Sequence, residues 1–365
     1  MDEAVSDDQK LAAIRDRIDA IDEEIQRLFN ARAEAAQEVA RIKLAADPQA
    51  QFYRPEREAQ VLRRIKERNS GPLDPEEVAR LFREIMSACL ALEQPLQVAF
   101  LGPEGTFTQA AALKHFGHSV QCLPMGSIGD VFSEVESGAC HYGVVPVENS
   151  TEGVISHTLD SFVSSPLLIC GEVTLRINHH LLSSESGLQQ IRTVYSHQQS
   201  LAQCRGWLDR HLPQAERVAV GSNAEAARMA SQHAGVAAIA GETAAEIYGL
   251  PQLVSNIEDE AGNTTRFLVI GKKDAGASGD DKTSLLLSTQ NRAGGLHGLL
   301  SPFAEHSISM TRIESRPSRR GIWDYVFFVD INGHRSDPAV AEALRQLEQQ
   351  ASLFRVLGSY PKAVL

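Results

Sequence analysis

Between Leu11 and Leu28 the large apolar residues fall at Leu11, Ile14, Ile18, Ile21, Ile25 and Leu28, a spacing that alternates three and four. That is the seam of a helix lying along another helix. At the same spacing the seam reaches Arg32, then Ala35, Val39 and Ile42. The pattern predicts one helix from about Asp8 to Ala46, roughly 55–60 Å long at 1.5 Å per residue. It sits in a block of under a hundred residues, too small to cover such a seam. A partner chain is expected to do so.

The seam opens the first of three blocks, residues 1–94, 95–272 and 283–365, in a chain of 365 residues. With 43% apolar and 22% charged residues, the composition supplies several soluble cores. No stretch approaches the ~20 apolar residues of a membrane helix. The acidic, polar start (Met1–Lys10) does not read as a signal peptide. A cytoplasmic protein without a membrane partner is the expectation. Acidic residues outnumber basic ones by 47 to 35, and no block is a basic stripe, so no nucleic-acid partner is expected. The five cysteines show no C-x-x-C spacing and read as reduced core thiols. The histidines show no metal-ligand spacing, and His179-His180 reads as strand packing. No metal or organic cofactor is expected.

Two further helices complete the first block. Pro55 fits a first-turn position, and Asp74-Pro75-Glu76-Glu77 supplies an N-cap, an N1 proline and an N3 carboxylate. The last helix is expected to bury Val78, Leu81, Phe82, Ile85, Cys89 and Leu92, which puts Glu93 at the edge of that face. Lys43 lies three turns beyond Arg32, about 16 Å along the axis, so the two side chains can converge on a small anion. Arg15 lies about 25 Å before Arg32, too far to reach that ligand within one chain. In an antiparallel pair the partner's copy can. Ion pairs between helices are the alternative use of both arginines.

Block one resembles the all-helical chorismate mutases, whose long first helix spans an intertwined dimer. The resemblance puts Arg15, from the partner, and Arg32 on the two substrate carboxylates. Lys43 falls at the breaking ether oxygen and Glu56 at the ring hydroxyl. Pro55 stands where some members carry arginine, with Arg54 and Arg57 beside it. Cys89 replaces a small hydroxyl residue, and Glu93 replaces a glutamine beside the ether oxygen. In that place Glu93 serves only when protonated, since an ionised carboxylate cannot donate.

From Gln97 the pattern changes. Val98–Leu101 reads as a strand, Gly102-Pro103-Glu104-Gly105-Thr106-Phe107-Thr108 as a tight turn, and Ala110–Phe116 as a helix. The same strand–loop–helix order recurs after Tyr142–Val147, Thr193–Tyr195, Val218–Val220 and Val236–Ile239. Five polar strand ends suit a shared cleft at the carboxyl ends of α/β sheets. These segments resemble the prephenate dehydratases, through the glycine-rich turn, Val145-Pro146-Val147-Glu148-Asn149-Ser150, Tyr195-Ser196-His197 and Asn263-Thr264-Thr265-Arg266-Phe267. Gln198 stands where proline is usual. The resemblance implies two α/β lobes like those of periplasmic binding proteins, with Thr265 catalytic. Thr106, Asn149, Ser196, Gln199 and Ser222 are expected to bind substrate, with Glu148 as an alternative acid. Arg266 is expected either to bind substrate or to form a structural ion pair.

Residues 273–282 are small and polar, a linker by composition. Beyond them strands over 283–289, 308–314, 323–331 and 354–357 and helices over 295–306 and 338–349 give the order β-α-β-β-α-β. This α+β, ferredoxin-like block resembles an ACT domain. Gly294, Gly295 and Leu296, within Asn291–Leu296, and Glu314-Ser315-Arg316-Pro317 carry the match. In dehydratases these bind phenylalanine between two ACT domains. The expectation is therefore a multidomain chain like the bifunctional chorismate mutase–prephenate dehydratases, with chorismate, prephenate and inhibitory phenylalanine as ligands. A homodimer through the N-terminal helices and the ACT domains is expected, with dimer against tetramer left open. A two-lobed sensor, or a dehydratase with an inactive helical arm, are the alternatives.

Overall fold

The computed structural model describes residues 7–47, 51–290, 292–317 and 325–365. Its first block is α1 (Asp7–Ala46), α2 (Pro55–Arg68) and α3 (Pro75–Glu93). α1 runs 40 residues and ends at the predicted Ala46. The Asp74 carboxylate accepts from the Glu76 N–H at 2.8 Å, capping α3 as its sequence requires. α3 packs on α2 and on the C-terminal part of α1. Every residue from Asp7 to Ala31 is exposed. The seam residues Leu11, Ile14, Ile18, Ile21, Ile25 and Leu28 stand 40–52% exposed within one chain, too apolar a stripe to leave in water. Among the described residues no helix is long and apolar enough to cross a membrane.

The second block has two lobes. The first contains β1 (Gln97–Leu101), α4 (Phe107–Phe116), β2 (Gln121–Met125), α5 (Ile128–Ser137), β3 (Tyr142–Asn149), β4 (Gly153–Val154), α6 (Ser156–Ser164) and β5 (Leu168–Arg176). The chain then crosses into β6 (His180–Leu182), β7 (Thr193–His197), α7 (Gln198–Gln203), α8 (Arg205–His211), β8 (Glu216–Val220), α9 (Asn223–Ala230), β9 (Val236–Ala240), α10 (Glu242–Tyr248) and β10 (Gln252–Val254). It returns to the first lobe as β11 (Thr264–Gly271). The sheet orders are β2-β1-β3-β11-β5, with β4 beside β3, and β10-β6-β9-β7-β8. In each sheet the strands of the strand–loop–helix units run parallel; β11 pairs antiparallel with β3 in the first, and β6 antiparallel with β9 in the second. β3 extends through Glu148 and Asn149, two residues the sequence reading gave to a loop.

The third block is β12 (Asp281–Ser288), α11 (Gly295–Glu305), β13 (Met310–Pro317), β14 (Tyr325–Asn332), α12 (Pro338–Gln350) and β15 (Leu353–Pro361). Its strands order β13-β14-β12-β15, the ferredoxin-like arrangement. Glu314–Pro317 lie inside β13, not after it. Asn291 and the predicted strand start at Trp323 fall outside the described residues. Alternation gives this sheet two buried faces. Leu285, Leu287, Val329 and Ile331 pack with the apolar residues of α11 and α12. Leu286, Val326, Phe328, Leu357 and Tyr360 share a core with Val145, Val147, Leu268 and Ile270 of the first lobe. The two sheets touch so closely at Gly358 that a Cβ there would stand 2.2 Å from the Ile169 carbonyl oxygen.

The 273–282 segment is tied down along its length. Ala275, Ser278 and Asp281 are buried. Arg63 of α2 donates to the Ser278 and Asp280 carbonyls at 3.2 and 2.8 Å, and Arg335 pairs with Asp274.

Candidate active sites

A cavity of about 410 Å³ lies between the two lobes of the second block. Thr106, Asn149 and Thr265 line it from the first lobe and Gln199, Ser222 and Asn223 from the second, with Ile177, His179 and Asn263 at the crossovers. Thr106 and Ser222 are helix N-caps. The Thr106 Oγ1 accepts from the Gln109 N–H at 3.5 Å and donates to the Leu101 carbonyl at 3.1 Å. The Ser222 Oγ accepts from the Glu225 N–H at 3.0 Å. The positive ends of α4 and α9 therefore face the cavity. No lysine or arginine lines it among the described residues.

A chain of side-chain amides fixes the hydrogen-bonding sense of the cavity floor. The Asn149 Oδ1 accepts from the N–H groups of Thr151 and Glu152, at 3.0 and 3.1 Å. Its Nδ2 is thereby turned to donate to the Thr265 Oγ1 and the Asn263 Oδ1, both at 2.8 Å. The Asn263 Nδ2 in turn donates to the Gln203 Oε1 at 3.2 Å. Because the Thr265 oxygen is an acceptor here, its own proton is free to donate into the cavity.

Glu148 and Ser196 correct the sequence reading, and Arg266 takes the ion-pair alternative over substrate binding. Glu148 and Arg266 sit on strands, each one residue from a cavity residue, so alternation sends them through to the other side of the sheet. Glu148 there meets Arg312 at 3.0 Å. Arg266 meets Glu172 at 2.8 Å, Asp330 at 2.6 Å and the Tyr360 hydroxyl at 3.0 Å. Burial opposes the Arg266 charge, but Tyr360, Asp330 and Glu172 outweigh it and raise its pKa. Burial likewise works against the Asp330 carboxylate, but Arg266 and the Ser284 hydroxyl hold its pKa below the ordinary value. Ser196 is fully buried, its hydroxyl 2.8 Å from the Ile239 carbonyl and 2.9 Å from the Asn223 Oδ1. It positions Asn223 and does not reach the cavity. His179, Gln203 and Asn263 were missed. Asn263 lay in a recognised motif, whereas His179 looked like strand packing until the crossover placed it.

The first block carries a second cavity, of about 310 Å³, lined by Arg32, Lys43, Arg54, Arg57, Cys89 and Glu93 among others. Lys43 donates to the Gln51 carbonyl at 3.3 Å and stands 5.6 Å from the Phe52 ring centroid. Burial raises the Glu93 pKa against the opposing pull of Lys43 and Arg32. Glu56 does not line this cavity. Arg54, Arg57, Glu58 and Val61 share the helical face that does. Glu56 turns aside to pair with Arg54 at 2.8 Å, beside Gly276. Arg15 lies on the exposed part of α1, away from this cavity.

In the third block, Gly294 caps α11 in the left-handed conformation, φ 77°, and Gly295 opens that helix. Leu296 is 37% exposed. β13 is an edge strand on which Ser315 and Pro317 are exposed, while Glu314 and Arg316 are half-buried. Arg316 donates to Ser156 and meets Asp160 of α6 at 2.9 Å. Among the described residues no cluster of three His, Cys, Asp or Glu could hold a metal.

Three families match the chain: chorismate mutase type II over residues 14–94, prephenate dehydratase over 98–275 and the ACT domain over 283–349. A bifunctional chorismate mutase/prephenate dehydratase of Stutzerimonas stutzeri is 58% identical over 365 residues, 99% of this chain and 100% of that protein. One from Pseudomonas aeruginosa is 57% identical over the same shares. Among solved structures, prephenate dehydratase from Arthrobacter aurescens in complex with L-Phe has a TM-score of 0.67 at 32% identity, covering 73% of this chain and 90% of that one.

Proposed function

From the premise that the chain belongs to the bifunctional chorismate mutase/prephenate dehydratases and carries both activities, we propose that it serves phenylalanine synthesis. It converts chorismate to prephenate in the helical block and prephenate to phenylpyruvate between the lobes. Phenylalanine bound at the ACT domain inhibits it; that a similar dehydratase, from Arthrobacter aurescens, forms a complex with L-Phe supports the choice of ligand.

The observation that carries this reading is the contrast between the two cavities. Rearrangement of chorismate is pericyclic and needs no base or nucleophile. It needs a compact dianion and a stabilised ether oxygen. Arg32 and the partner's Arg15 clamp the carboxylates, Lys43 faces the ether oxygen, and protonated Glu93 donates to it. Arg54 and Arg57 add positive potential on the face where Glu56 was expected.

The dehydratase step asks for a weaker positive field, without a full cation. The bond to the ring carboxylate breaks and its electron pair enters the ring as the C–O bond to the ring hydroxyl breaks. Carbon dioxide departs, and the oxygen leaves as water after taking up one proton. A cation on the ring carboxylate would stabilise the charge that must disperse, raising the barrier. The cleft offers helix N-termini, amides and hydroxyls instead, with Thr106, Asn149, Gln199 and Ser222 around the substrate. Thr265, held as an acceptor by Asn149, directs its proton at the leaving oxygen.

The bare seam of α1 supports a dimer in which each mutase cavity is completed by the other chain. The exposed β13 edge and Gly294, Gly295 and Leu296 support the ACT surface as the place where phenylalanine binds. The domain limits 1–94, 95–272 and 283–365 follow the same division, with 273–282 as the strap between the last two. Arg32→Ala supplies the test. It should abolish prephenate formation from chorismate and leave phenylpyruvate formation from supplied prephenate intact. Loss of both would contradict two separate sites.

A further inference from the structure

His179 lies at the crossover from β5 to β6, lines the interlobe cavity and is 1% exposed. Its ring meets Phe107 edge-on, centroids 5.8 Å apart. Its backbone N–H donates to Glu258 at 3.0 Å. The Nε2 stands 2.8 Å from the Gln203 Oε1. The amide chain described above settles the tautomer, because the Asn263 Nδ2 already donates to that same Gln203 oxygen. Gln203 therefore presents an acceptor to the imidazole, and the Nε2 must carry the hydrogen. The Nδ1 is left as a lone-pair acceptor, buried and without a partner among the described residues. Burial also holds the ring neutral by lowering its pKa, with Gln203 opposing. A buried acceptor left unpaired is costly and calls for a donor from outside the chain.

The donor follows from the substrate's chemistry. Prephenate has two carboxylates and a keto group, which only accept, and a single O–H, the hydroxyl it loses. We infer that His179 is a substrate-contacting residue of the dehydratase cleft, whose Nδ1 accepts the hydrogen of that hydroxyl. The inference rests on the dehydratase activity. Held by its hydrogen, the hydroxyl turns a lone pair toward Thr265. The incoming proton goes onto that lone pair, the C–O electron pair leaves with the oxygen, and water departs with its original hydrogen. Solvent supplies the one proton consumed per turnover.

The test compares prephenate with its 4-deoxy analogue, which keeps both carboxylates and the keto group but has no hydroxyl. The wild type should bind the analogue at least about tenfold more weakly, since a site built for a hydroxyl rejects a ligand lacking one. Glutamine at this position reaches the Nε2 place and can still donate to Gln203, whereas asparagine offers a carbonyl near the Nδ1 place. His179→Gln should reduce the discrimination by at least about threefold and lower dehydratase kcat by at least about tenfold. His179→Asn should keep most of the discrimination. Mutase turnover of the same preparations, unchanged in both, reports that the chain is folded. Unchanged discrimination in His179→Gln, or equal weakening of both ligands, would overturn the assignment and leave His179 a packing residue. Wild-type protein that does not turn over prephenate would overturn the dehydratase reading beneath it.

Discussion

Thr265 and Arg266 are consecutive in β11, yet they face opposite sides of one sheet: the Thr265 Oγ1 accepts from Asn149 in the cleft, and the Arg266 guanidinium lies 2.6 Å from Asp330 of the ACT domain. Asn149 and Glu148 repeat the relationship in β3, with Glu148 meeting Arg312 of the ACT domain at 3.0 Å. Each of two residues on the cleft floor is thus one peptide bond from an ion pair with the regulatory domain. A movement of β13 and β14 has a short mechanical route to the chemistry.

Asp330→Asn keeps the shape of that contact and removes its charge. It should raise the phenylalanine concentration for half-inhibition by about fivefold or more, the lower range of allosteric coupling. Mutase turnover serves as the folding control. Inhibition curves that superimpose on the wild type would show that the Arg266–Asp330 pair carries no signal.

Thr265→Ala removes the donor proposed to face the leaving oxygen. Dehydratase kcat should fall by about 100-fold or more while KM changes little, as for loss of a transition-state donor. The mutase should be untouched. A parallel fall of both activities would indicate misfolding and not chemistry.

Glu93 must be protonated to donate, and burial raises its pKa above the ordinary carboxylate value. The protonated fraction is complete at low pH and is lost as pH rises through that raised pKa. Wild-type mutase activity should decline on that limb, and Glu93→Gln should flatten it because an amide donates at any pH. A profile unchanged by the substitution would remove Glu93 from the mechanism.

The seam of α1 is tested by Ile18→Asp combined with Ile25→Asp, which places carboxylates in the stripe a partner is proposed to cover. Mutase turnover should drop at least about tenfold as the partner's Arg15 is lost, because burying unpaired charge is strongly unfavourable. Dehydratase turnover from supplied prephenate should persist. Full mutase activity in this variant would mean that one chain suffices.

The helices were legible because their signals are local. A three–four seam, a proline at N1 and an aspartate cap each act within a turn or two, and α1 ended at the predicted residue. The ferredoxin-like order was legible for the same reason, apart from the inclusion of Glu314–Pro317 in β13. What the sequence hid was the side of the sheet. Glu148 and Arg266 look chemically fit for a polar cleft, and nothing local shows that β3 extends far enough to turn Glu148 away. His179 was hidden for the converse reason. Its importance comes from contacts with Phe107 and Gln203, distant in sequence, and only the crossover between lobes brings them together.

On the proposed reading, one chain performs two consecutive reactions under the control of its third domain. The direct measurement supplies chorismate to the purified protein and quantifies prephenate and phenylpyruvate, with and without phenylalanine. Phenylpyruvate should form from chorismate alone and should be suppressed when phenylalanine is added. Phenylpyruvate from supplied prephenate but not from chorismate would contradict the mutase assignment, and formation indifferent to phenylalanine would contradict the regulatory one.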